Sequence, residues 1–308
     1  MRIGKALVFL CLLWMTACGS STSGQPAPAL LSPGDYNQTL FAGGVQRRYI
    51  LHVPSGYDGS KALPLLFVLH GHGGSAEAMR QSTGFNQKAD EESFFVAYLQ
   101  GTLGSDGVPG WNTGISPGLD INVDDVDFVR MVASQLQGQV IVDANRIYAA
   151  GFSNGGMMSH RLGAELSDLL AGVAVVEGTI GVRQPDGTFL TTSIPMGPIP
   201  VLMIHGKQDA TLPYEGGPSG VGEHLEVKSA ADAVAFWNQA DVCAGSAQTQ
   251  TSVDGNTITA DYAACAFGSE VELITLVNGI HQWPNPGNPG EISGSDAVWD
   301  FFARHSKS

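Results

Sequence analysis

Runs of almost unbroken apolar residues, spaced along the chain with helical patterns between them, constrain this sequence more than any other feature. Leu63–Leu69 (LPLLFVL) is the clearest, and 94–99, 146–150, Gly172–Val176, 200–204 and 271–277 have the same character. A strand that is apolar on both sides has to be covered on both sides, as in a parallel sheet flanked by helices. Val45–Val53 (VQRRYILHV) reads as an earlier strand. Helices are predicted at 123–136, 227–240 and 295–304; in the first, Val126, Val129 and Val132 fall close to one side, and Asp124 and Asp125 favour its N-terminus. This alternation implies an α/β fold with a mostly parallel central sheet. A chain of 308 residues that is 43% hydrophobic and 14% charged can bury a large core, and no linker divides it after about residue 34, so one domain over 34–308 is expected. The segment 252–256 (SVDGN) reads as a small hairpin turn on a peripheral excursion.

The stretch IYAAGFSNGGMMSH (147–160) leaves a strand-like run, places Ser153 between Gly151 and Gly155, and only then begins a helix. In a sheet of this kind ligands gather beyond the carboxyl ends of the strands. A side chain presented on so sharp a turn has a strained backbone and needs small neighbours two residues away. The pattern also fits an ordinary glycine-rich turn; its place between strand and helix favours a nucleophile. A serine hydroxyl needs a base, and the base needs an acid to orient it. Asp209 stands just past the run 200–204 and suits the acid, whereas Asp186 sits in a surface-turn setting, Gln-Pro-Asp-Gly. His281 follows the last predicted strand and suits the base. His205 precedes the acid, His160 lies two helical turns past the serine, and His224 and His305 occupy a polar loop and a helix end. The backbone N–H of Asn154 is the expected first donor to an oxyanion. The second is expected from LHGHGGSAEAM (69–79), with His72 N–H first and Gly71 next. His70 and His72 have no third ligand cluster beside them, and support of the loop is the expected role, with no metal. Met157 and Met158 are expected in the core under the turn.

The N-terminus, MRIGKALVFLCLLWMTAC, joins Arg2 and Lys5 to a short apolar run and small residues, the pattern of an export signal over 1–17. Met15-Thr16-Ala17-Cys18 resembles a bacterial lipobox, which predicts lipidation of Cys18 and a membrane anchor; ordinary cleavage nearby is the alternative. The Ser-, Gly- and Pro-rich segment that follows, 18–33, reads as a tether. Export to an extracellular or periplasmic space leaves Cys243 and Cys265 as an even pair in an oxidising compartment, and a disulfide is expected. The formal net charge of -14 argues against a nucleic-acid partner and suits an uncharged substrate.

With HGHGG (70–74), GFSNGG (151–156), HGKQDATLPY (205–214) and GIHQWP (279–284) in order, the chain resembles the secreted poly(3-hydroxybutyrate) depolymerase and feruloyl esterase family of α/β-hydrolases. The likeness runs from about 44 to 305 and includes GWNTG (110–114), VDDVDFVR (123–130) and VWDFFARH (298–305). It implies an α/β-hydrolase fold without a large cap domain, hydrolysis of carboxylic esters without metal or organic cofactor, and Ser153, Asp209 and His281 at the family's triad positions. The implied substrate is poly(3-hydroxybutyrate)-type polyester or its oligomers, with feruloyl or acetyl groups on plant polysaccharide as the alternative. A non-catalytic ligand-binding lipoprotein is the alternative of another class. Trp111, Tyr214 and Trp283 are candidates for a substrate cleft, since flat rings pack well on such groups. Three departures bear on acyl specificity: HQWPN stands where His-Thr-Trp-Pro-Gly is common, His72 where Gly or Cys is common, and Glu177 where a small or apolar residue is usual.

Overall fold

The computed structural model describes residues 30–115, 122–220, 225–288 and 292–307. The export signal, Cys18, most of the tether and His224 lie outside the described residues. Ten strands form one sheet: β1 (Gly34–Ala42), β2 (Val45–Val53), β3 (Leu63–Leu69), β4 (Phe95–Leu99), β5 (Val142–Phe152), β6 (Gly172–Val176), β7 (Val201–Gly206), β8 (Gln248–Thr251), β9 (Thr257–Tyr262) and β10 (Val271–Leu276). Their order across the sheet is β1-β2-β4-β3-β5-β6-β7-β10-β9-β8. The six from β4 to β10 are mutually parallel, and two further strands join each edge by antiparallel pairing. The apolar runs of the sequence are these inner strands; β3, β4 and β6 bury every residue but Leu63.

Six helices cover the sheet: α1 (Ala76–Ser82), α2 (Phe85–Glu92), α3 (Asp125–Gln137), α4 (Asn154–Glu165), α5 (Ala230–Ala240) and α6 (Gly294–Phe302). Two apolar clusters result. One gathers Phe67, Trp111, Phe128, Leu162 and Trp237, and the other Val68, Phe94, Tyr148, Trp299 and Phe302. In the second, Phe94 stacks on Trp299 with ring centroids 3.6 Å apart. Fully burying one side chain of this size contributes roughly 1.5–3 kcal/mol. Several helix starts are set locally: Asp124 accepts from Asp127 N–H, Ser229 and Asp232 form a reciprocal capping box, and Ser293 accepts from Asp296 N–H.

The hairpin lies at the periphery, as expected, and is continuous with the sheet. β8 and β9 flank the turn at 252–256, and β9 pairs along the whole of β10, so the excursion extends the main sheet at its edge. Cys243 and Cys265 are joined, tying the end of α5 to the hairpin. Closing a loop of that 22-residue separation contributes about 3 kcal/mol in the chain-entropy account.

Two residues before Cys243, the side chain of Asp241 is fully buried, and its Oδ1 accepts the Ile199 N–H at 3.3 Å. Burial pushes its carboxyl up to about 7, against the hydrogen bond from Ile199. The folded chain therefore prefers the neutral acid. The associated stability is complete below the ordinary carboxylate value of 3.8 and is lost as pH rises through about 7. Asp241→Asn keeps the acceptor without the charge. It is expected to melt above the parent at pH 8 and close to it at pH 4, as followed by thermal unfolding at both pH values.

Candidate active site

The parallel strands bring their carboxyl ends to one rim. The chain passes from β3 to β4 on one side and crosses back to place β5 on the other, so the ends of β3 and β5 border the point where strand order reverses. Ser153 follows β5 there and caps α4 with φ 55° and ψ -118°, a strained conformation for a non-glycine residue. Its N–H donates to Val176 O at 2.9 Å. The flanking glycines are required by space: a Cβ on Gly151 would lie 2.1 Å from Gly155 O, and one on Gly155 would lie 2.4 Å from Leu69 O. The turn is thus pressed between the end of β3 and the first turn of α4.

Ser153 Oγ lies 2.9 Å from His281 Nε2, and His281 Nδ1 lies 2.7 Å from Asp209 Oδ2. Residues 153, 209 and 281, distant in sequence, form one hydrogen-bonded line. Two loops at the ends of β7 and β10 hold its acid and base. Lys207 N–H donates to Leu276 O and Gln208 N–H to Gly279 O, each at 2.9 Å. Gly206 and Gly279 touch so closely that a Cβ on Gly206 would lie 2.3 Å from Gly279 O. The Asp209 side chain is fully enclosed, and its Oδ1 accepts from Thr211 N–H at 2.7 Å and Leu212 N–H at 2.8 Å. Burial raises its pKa, but hydrogen bonds from His205, His281, Glu177 and Leu212 N–H outweigh it and hold the carboxyl well below the usual carboxylate range.

The loop after β3 faces the serine: a Cβ on Gly71 would lie 3.3 Å from Ser153 Cβ. Gly73 N–H donates to Pro109 O at 2.8 Å and Gly74 N–H to Gly71 O at 2.9 Å. Neither Asn154 N–H nor His72 N–H has an acceptor among the described residues. The His72 ring pairs with Asp106, Nε2 to Oδ2 at 2.7 Å. His70 braces the loop. Its Nε2 accepts the Gly101 N–H at 3.0 Å, so Nδ1 carries the proton and donates to Gly71 O at 2.7 Å. Burial holds its pKa down at about 4, which keeps the ring neutral.

Of the expected cleft aromatics, only Trp283 lines the cleft. Trp111 is fully buried; its Nε1 donates to His70 O at 2.8 Å and its backbone N–H to Asn154 Oδ1 at 2.8 Å. It ties the β3 loop to the first residue of α4 and offers no face to a ligand. Tyr214 is half-buried, with its hydroxyl 2.9 Å from Thr275 Oγ1 and its ring edge-on to His205. It closes the acid loop. Trp283 is half-buried against Phe85 and joins Gly71, His72, Met79, Phe152 and His281 around a cleft of about 590 Å³.

Two residues that sequence reasoning leaves outside the site belong to it. His205, read as shaping a strand end, has Nε2 3.3 Å from Asp209 Oδ2, 3.4 Å from Glu177 Oε2 and 2.8 Å from Leu212 O. Glu177, which the sequence marks only as a departure, is fully buried at the end of β6. Ligand atoms of Glu177, His205 and Asp209 lie within 4.8 Å of one another. The short contact of Nε2 to a carbonyl makes it a donor, so the ring nitrogen facing the two acids has no lone pair for a metal. The sequence signal for Glu177 is a charged residue directly after the apolar run GVAVV. Asp186 sits in its own surface turn, accepting from Thr188, and His160 is buried under α5, where its Nδ1 accepts from Trp237 Nε1.

A sheet of this order, with a strained serine at the strand-to-helix turn, defines an α/β-hydrolase. A profile of the phospholipase/carboxylesterase family matches residues 122–226. NocK of Nocardia uniformis subsp. tsuyamanensis, a protein assigned as an esterase, is 34% identical over 274 residues, spanning 82% of this chain and 76% of its own. Feruloyl esterase C of Emericella nidulans is 28% identical over 287 residues, spanning 90% and 93%. Feruloyl esterase B of Piromyces equi is 32% identical over 262 residues, of which this chain spans only 45% of the length. Among solved structures, the acetyl xylan esterase from Aspergillus awamori shares the fold at a TM-score of 0.60 and 12% identity, over 88% of this chain and 99% of that one. A CE1 ferulic acid esterase from Anaeromyces mucronatus, in complex with ferulic acid, does so at 0.51 and 13%, over 90% and 92%. The chain belongs to this esterase family of α/β-hydrolases.

The tightness of the serine turn is directly measurable. Gly151→Ala forces a Cβ onto backbone that cannot retreat and is expected to lose about 3 kcal/mol of stability. Gly56→Ala, where a Cβ would meet nothing within 4 Å, is expected to stay within about 0.5 kcal/mol in the same denaturation experiment.

Proposed function

We propose that the chain is an exported serine carboxylesterase. The observation that carries this reading is the continuous line Ser153 Oγ–His281 Nε2–Asp209 Oδ2, at 2.9 and 2.7 Å, beside two undirected backbone N–H groups. His281 Nε2 takes the Ser153 proton as Oγ bonds to the ester carbonyl carbon. The N–H groups of Asn154 and His72 receive the negative charge that develops on the carbonyl oxygen. Collapse of that intermediate breaks the ester C–O bond, and His281 returns its proton to the departing alcohol. Water, deprotonated by His281, then attacks the acyl-serine, which releases the acid and restores the hydroxyl. Asp209 holds the imidazole in orientation throughout.

The relatives named as feruloyl esterases favour an aromatic acyl group on a polysaccharide alcohol, and the cleft agrees with it. About 590 Å³ bordered by Met79, Phe152 and Trp283 accommodates one aromatic acid. Esters of 3-hydroxybutyrate are the second reading, supported by the motif resemblance. Export is supported by the signal-like N-terminus and the Cys243–Cys265 disulfide.

Ser153→Ala is expected to lower turnover of p-nitrophenyl acetate by at least about 10⁴-fold while the melting transition persists. A fluorophosphonate probe is expected to label the parent at Ser153 and to spare the variant. Full turnover by the variant, or a parent that resists the probe, would point to a non-catalytic binding protein. A panel of methyl ferulate and hydroxybutyrate oligomers is expected to show the higher kcat/KM on methyl ferulate.

A further inference from the structure

Glu177 is an unusual residue to find where it is. Its side chain is fully buried, its backbone has φ 50°, and it sits one peptide from the Val176 carbonyl that receives the Ser153 N–H. Its own N–H donates to Ile204 O at 2.9 Å, which fixes it against β7. Both carboxyl oxygens face Gly206 N–H, at 3.0 and 3.2 Å. A long acidic side chain held in the left-handed region costs backbone energy, and such strain persists where the surroundings impose it for a reason.

Several titratable groups among the described residues face Glu177. From β7 comes His205, whose Nε2 lies 3.4 Å from Glu177 Oε2. From the next loop comes Asp209: its carboxyl group and that of Glu177 lie within 4.8 Å of each other, both contacted by His205 Nε2, and its Oδ2 pairs with His281 on the loop after β10. From α4, His160 is buried beyond His205, held neutral by its own burial. Two enclosed carboxyl groups this close are not both charged, so one of them carries a proton. Asp209 already accepts from Thr211 N–H, Leu212 N–H and His281 Nδ1, and these donors favour its charged form. The proton therefore belongs to Glu177.

We infer that Glu177 is a positioning residue: a neutral carboxylic acid that donates to Asp209, accepts from Gly206 N–H, and so fixes the carboxylate that orients His281. The inference rests on the serine-esterase reading. It makes the acid limb a pair, one carboxylate and one carboxylic acid, with His205 Nε2 close to both, at 3.3 and 3.4 Å. The pair carries a single negative charge, which spares the site a second buried anion.

The test is the pH dependence of kcat/KM for p-nitrophenyl acetate in Glu177→Gln and Glu177→Leu, alongside Ser153→Ala. Glutamine reproduces a neutral donor and acceptor, so Glu177→Gln is expected to keep kcat within about 2-fold and leave the acidic limb in place. Leucine removes the donor, so Glu177→Leu is expected to lose about 10-fold in kcat with KM unchanged, and its limb is expected to move to higher pH as Asp209 regains charge density. Thermal unfolding identifies any loss that is only misfolding, and Glu177→Gln decides between the outcomes if the leucine variant does not fold. A limb displaced to lower pH in Glu177→Gln would mean that an anion had been removed and would overturn the inference. Unchanged kcat and profile in both variants would overturn it too. Turnover surviving Ser153→Ala would instead overturn the esterase reading, so the two failures are distinguishable.

Discussion

The close crossing of three pieces of backbone at Ser153 is the constraint on which the site depends. β3, β5 and the first turn of α4 meet there at distances that admit only glycine at 151 and 155, since any Cβ would overlap the facing backbone. Because that junction is rigid, the serine hydroxyl projects over the rim instead of relaxing into the helix. The same compression sets the β3 loop beside it, where Gly71 almost touches the serine. A side chain placed within a fraction of an ångström needs this kind of support from rigid elements.

A second crossing serves the acid and base. Gly206 and Gly279 pack backbone to backbone, and the hydrogen bonds from Lys207 and Gln208 into the 276–279 turn lock one loop onto the other. Asp209 and His281 are therefore parts of one rigid unit carried by two adjacent parallel strands. Glu177 and His205 lie beneath that unit and complete the hydrogen-bonding shell of Asp209. The electrostatic consequence is a carboxylate that stays charged although buried, because its donors offset the cost of leaving water.

Much of this is legible in the residues taken in order. The apolar runs are the inner strands because their period has no polar face, and Ser153, Asp209 and His281 each follow such a run closely. Other residues mislead for reasons that local patterns cannot resolve. Trp111 stands among glycines in a loop, which suggests exposure, yet its indole is the post between His70 and Asn154. The 252–256 hairpin is peripheral as its composition implies, but local residues do not show that β9 pairs along β10. β1 opens the domain without a strand signature of its own, because its alternation is half exposed and only its pairing with β2 defines it.

The sequence by itself determined the layered α/β architecture, the order of the chemical groups along the chain and the positions where only glycine fits, because these depend on period, length and local steric limits. The tertiary structure alone decided which groups meet. Whether Glu177 is an odd surface charge or the inner partner of Asp209 depends on the strand order β6-β7-β10, which places three distant strand ends side by side. Contact between residues far apart in the chain is set by the packing of the whole sheet, and no short window of sequence contains it.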